Sequence, residues 1–573
     1  MRRRLCWSGH SDSVRRSPNA PLQARRVLVL VLCCSAMWPH ATCRADAQGA
    51  SEGVELLKFP YPYRSALTVC NDADGGSIEK FEAVHTLINT TSRITRSSTM
   101  WSLLFADPAI DRCPKWCEGI DGFGLPFGDS IFLWDRWCGG MSLFSAFDKA
   151  TSTPVLNTYK GNDLSTLFDT WRRNGWVDAL HTPGSDCTRE FTAAGLKWLE
   201  GRPKGRLKVW VDHCIPRNPT CLGPGSQTRA VPHLLRAVMP NAAKNGVRLG
   251  LIALRKLGIR SLGRNVSLKM SPAPFPPSQA LFCWTLVSMM FVLAFWVAVC
   301  LAHKRIRRSR TLIPGIVLLL LVICILYFTP LHFGEGANPT SPYYCADLIR
   351  QFGFRYFNIQ SAMPGYVATI QNTLVVPEAN HAGRFSPLHI VKLEDGTSCL
   401  AFTRTCLDNP PTSWAYNTLE MLTQENLQRA CDAQGWCILY THWLHDPGKV
   451  FTAKALEGLS RLRDFHMGGR VWTTSTPELL DYSFIRTFLQ YAVRREQGKR
   501  VIDILRVNDP VGKGYVPTAE ELRGISFECP TDLPVEIRLA GETIDGGRFE
   551  VFRSPKRLVV RFPLAKPESV KTP

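Results

Sequence analysis

The sequence predicts an α/β protein whose parallel strands form a (β/α) barrel. Short apolar runs alternate with amphipathic stretches over residues 56–222 and again over 341–505, the pattern of repeated strand–helix units. Several of the apolar runs end in an acid or a histidine, and a barrel gathers its strand ends on one rim. A basic and then uncharged segment, 223–340, separates the two halves. An inserted loop of that length adds little closure entropy, so the two halves can belong to one barrel.

The expected strands are Ala66–Asn71, Ser130–Trp134, Trp176–Leu180, Lys208–Val211, Phe354–Ile359, Cys437–Tyr440 and Arg470–Thr473. The expected helices are Ile78–Asn89, Thr188–Glu200, Cys345–Phe352, Thr423–Ala433 and Ala453–Met467. Residues 510–573 carry short alternating runs with turn signals at Pro530, Gly541 and Gly546-Gly547, which predict a small antiparallel β domain.

The net charge of +20 is concentrated in two places. Residues 1–26 hold seven Arg and one acid, and residues 225–310 hold fourteen Lys or Arg and no acid. These two stretches account for the whole excess, so the folded body carries no basic surplus and a nucleic-acid partner is not expected. Residues 1–45 read as a signal peptide or an N-terminal anchor. The apolar run Val27–Trp38 follows Arg25-Arg26 and is too short to span a bilayer. Two later runs, about 281–302 and 311–333, are uncharged and long enough to span as a helical hairpin. The loop between them, His303 to Arg310, holds five basic residues and is placed in the cytoplasm by the positive-inside rule. The barrel is then expected on the periplasmic or extracellular side of the cell membrane, with the lipid bilayer as a partner. The stretch Val247–Leu262 reads either as a basic amphipathic helix on the membrane surface or as a solvated linker. The cysteine pairs Cys113/Cys117, Cys214/Cys221 and Cys431/Cys437 read either as disulfides of an exported body or as free thiols.

Asp72 and Asp74 end the first strand in Asn71-Asp72-Ala73-Asp74-Gly75-Gly76. A spacing of two puts both carboxylates on one side of an extended backbone, where one can hold a divalent metal and the other act as a base. His181 follows the third expected strand, and His442 ends the run Ile438-Leu439-Tyr440-Thr441-His442. An imidazole in such a place serves as a metal ligand or as a general acid. Asp212 and His213, at the end of the fourth expected strand, and Asp186, which closes the stretch that His181 begins, are further candidates.

This order of motifs resembles the polysaccharide deacetylase (NodB homology) family of the glycoside hydrolase/deacetylase superfamily. Asp72-Ala73-Asp74-Gly75 is similar to its Asp-Asp-Gly strand end, His181-Thr182 to the start of its His-Ser/Thr motif, and Leu439-Tyr440-Thr441-His442 to its Leu-x-His strand end. The resemblance implies a metal-dependent hydrolase, with a divalent metal that is often zinc, which deacetylates an envelope or exported polysaccharide by cleaving a carbon–nitrogen or ester bond. In that scheme Asp74 and His181 bind metal, Asp72 is the base and His442 the acid. The chain departs from the family where Ala73 separates the acids and where Ser185 occupies the place of the second metal histidine. Asp186 or His213 would have to take its part. A glycan-binding barrel without catalysis and a glycosidase of the same superfamily are the alternatives.

The topology reading is checked by reporter fusion. A phosphatase reporter active only outside the cytoplasm, joined after Pro573, is expected to be active. The same reporter inserted at Ser309 is expected to be silent, and the reverse pattern would place the body in the cytosol.

Overall fold

The first of the expected strands, β1 (Ser65–Asp72), is buried along its whole length, as expected of a parallel strand covered on both faces. It belongs to a computed structural model that describes residues 53–73, 76–105, 107–134, 142–148, 150–181, 187–202, 207–211, 344–358, 387–392, 396–402, 404, 419–443 and 451–564, with the strand pair 227–229 and 330–332. Each strand expected in the two halves is present within a few residues. They are β2 (Gly128–Ile131), β3 (Val177–His181), β4 (Val209–Val211), β5 (Tyr356–Asn358), β8 (Trp436–Thr441) and β9 (Val471–Thr473). An unexpected antiparallel pair, β6 (Leu388–Lys392) and β7 (Ser398–Phe402), joins them.

These strands form one nine-stranded sheet in the order β6-β7-β5-β4-β3-β2-β1-β8, with β9 also on β1. All pairings are parallel except β6 with β7. β1 offers two edges. Ala66 N–H reaches Gly435 on the β8 edge, whereas Ser65 N–H reaches Arg470 and Ala73 N–H reaches Ser130 on the other. β9 and β2 therefore share one edge of β1, at its start and its end.

This corrects the expected barrel: the sheet is open. The strand that could have extended the ring beyond β8 is β9, and it returns to the far edge of β1 instead. The opposite end of the sheet is finished by the antiparallel β6. The architecture is a mixed α/β sheet.

The main helices are α1 (Ile78–Asn89), α2 (Ser165–Arg173), α3 (Arg189–Glu200), α4 (Ala346–Gln351), α5 (Gln424–Asp432), α6 (Ala453–Met467) and α7 (Thr476–Phe488), with short helical turns at Thr99–Leu104 and Pro108–Asp111. Helices α1, α3, α5, α6 and α7 each start after a Ser or Thr whose hydroxyl accepts a backbone N–H of the first turn, which satisfies a donor the helix itself cannot. α2 and α7 add to the expected helices; for α7 the signal is in the sequence. Its entrance, Ser475-Thr476-Pro477-Glu478, has the spacing of a capping box with Pro in the first turn.

Two faces of the sheet are distinguished by what covers them. α1 lies on the face that carries Asn71 and Asp129, where His85 and Asn89 point at the sheet. α7 lies on the face that carries Cys70 and Tyr356, with Asp481 accepting from Tyr356 Oη at 2.7 Å and from Lys208 Nζ at 2.8 Å. Gly128 of β2 makes room there. A Cβ at Gly128 would fall 2.3 Å from the carboxyl carbon of Asp178, so the missing side chain is what admits that carboxyl group. Asp178 Oδ2 in turn accepts the first N–H of α7, from Thr476, at 3.1 Å.

The chain continues from α7 directly into β10 (Leu489–Glu496) and β11 (Lys499–Val507), followed by β12 (Ser526–Cys529), β13 (Val535–Leu539), β14 (Glu550–Arg553) and β15 (Leu558–Arg561). The expected small antiparallel β domain is corrected as well. These strands divide between two four-stranded sheets, one of which includes Glu55–Leu56 from the start of the described chain. β11 and β13 are parallel. Ile502, Ile525 and Phe527 belong to the same continuous apolar core as Leu67 and Leu439.

Among the described residues no helix is long and apolar enough to cross a membrane. The spans expected at 281–302 and 311–333, and the signal or anchor at 1–45, lie outside the described residues. The antiparallel pairing of Gln227–Arg229 with Pro330–His332 brings the two ends of the intervening segment together. Cys113 and Cys117 are free thiols. The Cys431 thiol donates to the Arg470 carbonyl at 3.5 Å and meets Ser65 Oγ at 3.6 Å. Cys214 and Cys221 lie outside the described residues.

Burial pushes the Asp178 carboxyl up to about 8, with the nearby charge of Asp129 adding to the effect and the Thr476 N–H opposing it. An unfolded aspartate releases its proton near pH ~3.9, so between there and about pH 8 the folded state holds a proton that the unfolded state has lost. The contribution of Asp178 to stability is thus greatest at the acid end and falls as pH rises through this window. Urea unfolding at pH 5 and pH 8 is expected to show a shallower pH dependence for Asp178→Asn than for the wild type.

Candidate functional site

At the carboxyl ends of β1, β2, β3 and β8, polar side chains converge on Asp72. Alternation along β1 puts Asp72 on the α7 face, two residues beyond Cys70. Its partner in register on β2 is Ser130, whose hydroxyl donates to Asp72 Oδ1 at 2.7 Å. His181 ends β3 with Nδ1 3.5 Å from the same oxygen. His442 follows β8 with Nε2 3.7 Å from Asp72 Oδ2 and 2.9 Å from Tyr440 Oη.

The group that organises these side chains is Arg404, two residues past the end of β7. Arg404 and Asp72 are almost fully removed from solvent, at 0% and 1% exposure. Arg404 Nη1 donates to Asp72 Oδ1 at 2.5 Å and Nη2 to Oδ2 at 3.1 Å, a two-pronged pairing that a guanidinium makes and an ammonium does not. Nη1 also reaches the Cys70 carbonyl at 3.3 Å, and Nε donates to Asn358 Oδ1 at 2.9 Å. The guanidinium lies 4.2 Å from the centre of the Tyr440 ring. Burial alone would draw the Arg404 pKa down, but the negative charge and hydrogen bonds of Asp72 outweigh it and the group is held in its charged form. The Cys70 thiol beneath the pair is pushed up to about 12, chiefly by burial, so it stays neutral and unreactive.

The opposite face of the sheet at β1, β2 and β8 carries a second set of contacts. Asn71 Nδ2 donates to Asp129 Oδ2 at 2.8 Å. Trp443 donates its backbone N–H to Asn71 Oδ1 at 3.1 Å and its indole N–H to Asp129 Oδ2 at 3.3 Å. His85 of α1 places Nε2 3.4 Å from Asp129 Oδ2, hydrogen-bonds Asn89 through Nδ1 at 2.8 Å, and stacks on Trp176.

Of the residues singled out from the sequence, Asp72, His181 and His442 are thus brought together. Asp74, Asp186, Asp212 and His213 lie outside the described residues. Arg404, Ser130, Asn358 and the Asn71–Asp129–Trp443 set are additions that the motifs do not point to. For Arg404 the sequence does carry a signal: Leu400, Phe402 and Arg404 continue one face of β7 at a period of two.

Of the residues expected to hold a divalent metal, His181 is described, whereas Asp74, Asp186 and His213 lie outside the described residues. Among the described residues no group of three His, Cys, Asp or Glu could hold an ion. Asp72, the acid nearest His181, has Arg404 against both oxygens, which opposes a second positive charge there. No protein-family model matches the chain, and no curated protein matches its sequence.

Removing one partner of a buried ion pair leaves the other without compensation, a loss of about 3–5 kcal/mol. Arg404→Met is expected to destabilise the chain by that order in urea unfolding. The double variant Asp72→Asn with Arg404→Met is expected to recover a large part of the loss, because no charge then remains buried.

Proposed function

We propose that the chain is a hydrolase that removes acetyl groups from an envelope or exported polysaccharide, with His442 as the proton carrier. The observation that supports this most is a buried carboxylate, fixed by Arg404, beside an imidazole that is 12% exposed at the carboxyl end of a parallel sheet. In open α/β sheets that end is where ligands bind. The acetylated-glycan substrate and the membrane setting come from the sequence: the motif resemblance, the uncharged runs and the basic loop between them.

In this scheme neutral His442 takes a proton from water as the water oxygen bonds to the acetyl carbonyl carbon. The imidazolium so formed lies beside the Asp72 carboxylate, which stabilises it. His442 then returns the proton to the departing amine or alkoxide as the carbon–nitrogen or carbon–oxygen bond breaks, giving acetate and the deacetylated sugar. This assigns the base to His442 where the family resemblance implied Asp72. Both oxygens of Asp72 accept from Arg404 and one also from Ser130, so the carboxylate is taken up in holding its neighbours.

The purified chain, supplied with a polymer of N-acetylated or O-acetylated sugars, is expected to release acetate, read by proton NMR with and without added zinc. His442→Gln is expected to lower kcat by on the order of 10²–10⁴. Binding of the polymer with no acetate under either condition would support the non-catalytic glycan-binding reading instead. New reducing ends would support a glycosidase.

A further inference from the structure

The geometry points to Asp129 as a positioning residue for His442, acting through Trp443 from the opposite face of the sheet; this rests on the proposed role of His442. Three pairs of consecutive residues lie side by side on three neighbouring strands: Asn71-Asp72 at the end of β1, Asp129-Ser130 within β2, and His442-Trp443 just after β8. Extended backbone sends successive side chains to opposite faces. One member of each pair therefore belongs to the Asp72 site and the other to the α1 face.

On the α1 face the three members close a ring. Trp443 N–H donates to Asn71 Oδ1, Asn71 Nδ2 to Asp129 Oδ2, and the Trp443 indole back to that same Asp129 oxygen, at 3.1, 2.8 and 3.3 Å. Asn71, Asp129 and Trp443 are all fully buried. Buried hydrogen bonds of this kind are strong in place and expensive to leave unmade. The ring fixes the backbone of Trp443 against β1 and β2, and His442 is the residue just before it. Its ring nitrogen is thereby set 3.7 Å from Asp72 and 2.9 Å from Tyr440. His85, with its own Nδ1 engaged by Asn89, braces Asp129 from α1.

The proposal is tested on the full chain labelled with ¹⁵N-histidine, the His442 ring nitrogens being assigned by their loss in His442→Gln. Two variants open the ring: Asp129→Ala, and Trp443→Phe, which removes the indole N–H and keeps an aromatic ring. Trp171→Phe is the control, a buried indole bonded to Glu82 elsewhere. In Trp443→Phe, and in Asp129→Ala if it folds, the His442 nitrogen shifts are expected to move. The kcat for acetate release is expected to fall on the order of ten- to a hundredfold, the effect of a small misplacement, with KM little changed. Trp171→Phe is expected to leave the His442 shifts in place. The proposal is overturned if the Trp443→Phe nitrogen shifts coincide with those of the wild type, or if Trp171→Phe moves them equally. If the wild type releases no acetate, the hydrolase reading fails, and the nitrogen shifts alone decide the positioning role.

Discussion

The contact on which the site depends is the ion pair between Arg404 and Asp72. Neither group could be left in this interior alone, since an uncompensated buried charge is among the most expensive features a fold can carry. Together they neutralise each other, and each sets the geometry around it. The two-pronged contact fixes the plane of the Asp72 carboxylate, Ser130 holds one oxygen, and Asn358 holds the far side of the guanidinium. A buried pair of this kind adds little stability compared with apolar side chains of the same volume. Its presence is better explained by what it holds ready: a carboxylate of fixed position and fixed charge next to two imidazoles.

The open sheet bears on where that charge sits. Without a closed ring, something other than strands must cover the α7 face, and α7 does so with its first turn pressed against Asp178 and its middle tied to Tyr356 and Lys208. The Asp72 row lies just beyond the Cys70 and Asp178 row, toward the strand ends. Helix and strand ends thus give the site a packed floor on one side and the ring of Asn71, Asp129 and Trp443 on the other face of the sheet.

Much of this is legible in the amino-acid sequence. The seven strands read from the apolar runs are present, because a strand covered on both faces needs an uninterrupted apolar segment and Ala66–Asn71 or Cys437–Tyr440 supplies one. Ionisable residues at the ends of such runs meet whenever the strands are parallel, and this explains the convergence of Asp72, His181 and His442. Closure is not legible, since it depends on which edge of β1 receives β9, and the side-chain pattern of Val471–Thr473 is the same on either edge. α7 escapes a reading by apolar runs alone, although Ser475, Pro477 and Glu478 spell a helix entrance. Arg404 escapes for a different reason. A lone arginine between two threonines reads as solvated loop; the period of two places it on the face of Leu400 and Phe402, but its counter-charge, Asp72, stands more than three hundred residues earlier in the chain.

The pairing of consecutive residues across the sheet also bears on the fidelity of folding. A parallel strand can in principle dock one residue out of step, and apolar runs such as those of β1 and β8 do little to prevent it, because either alignment buries greasy side chains. Here a slip of β8 by one position would carry the indole of Trp443 toward Arg404 and turn an imidazole into the packing beneath α1, stranding polar atoms on both sides at once. The two-sided arrangement therefore makes misalignment costly in proportion to the number of contacts it breaks. The same atoms that surround Asp72 act as a checksum on the way the chain was assembled.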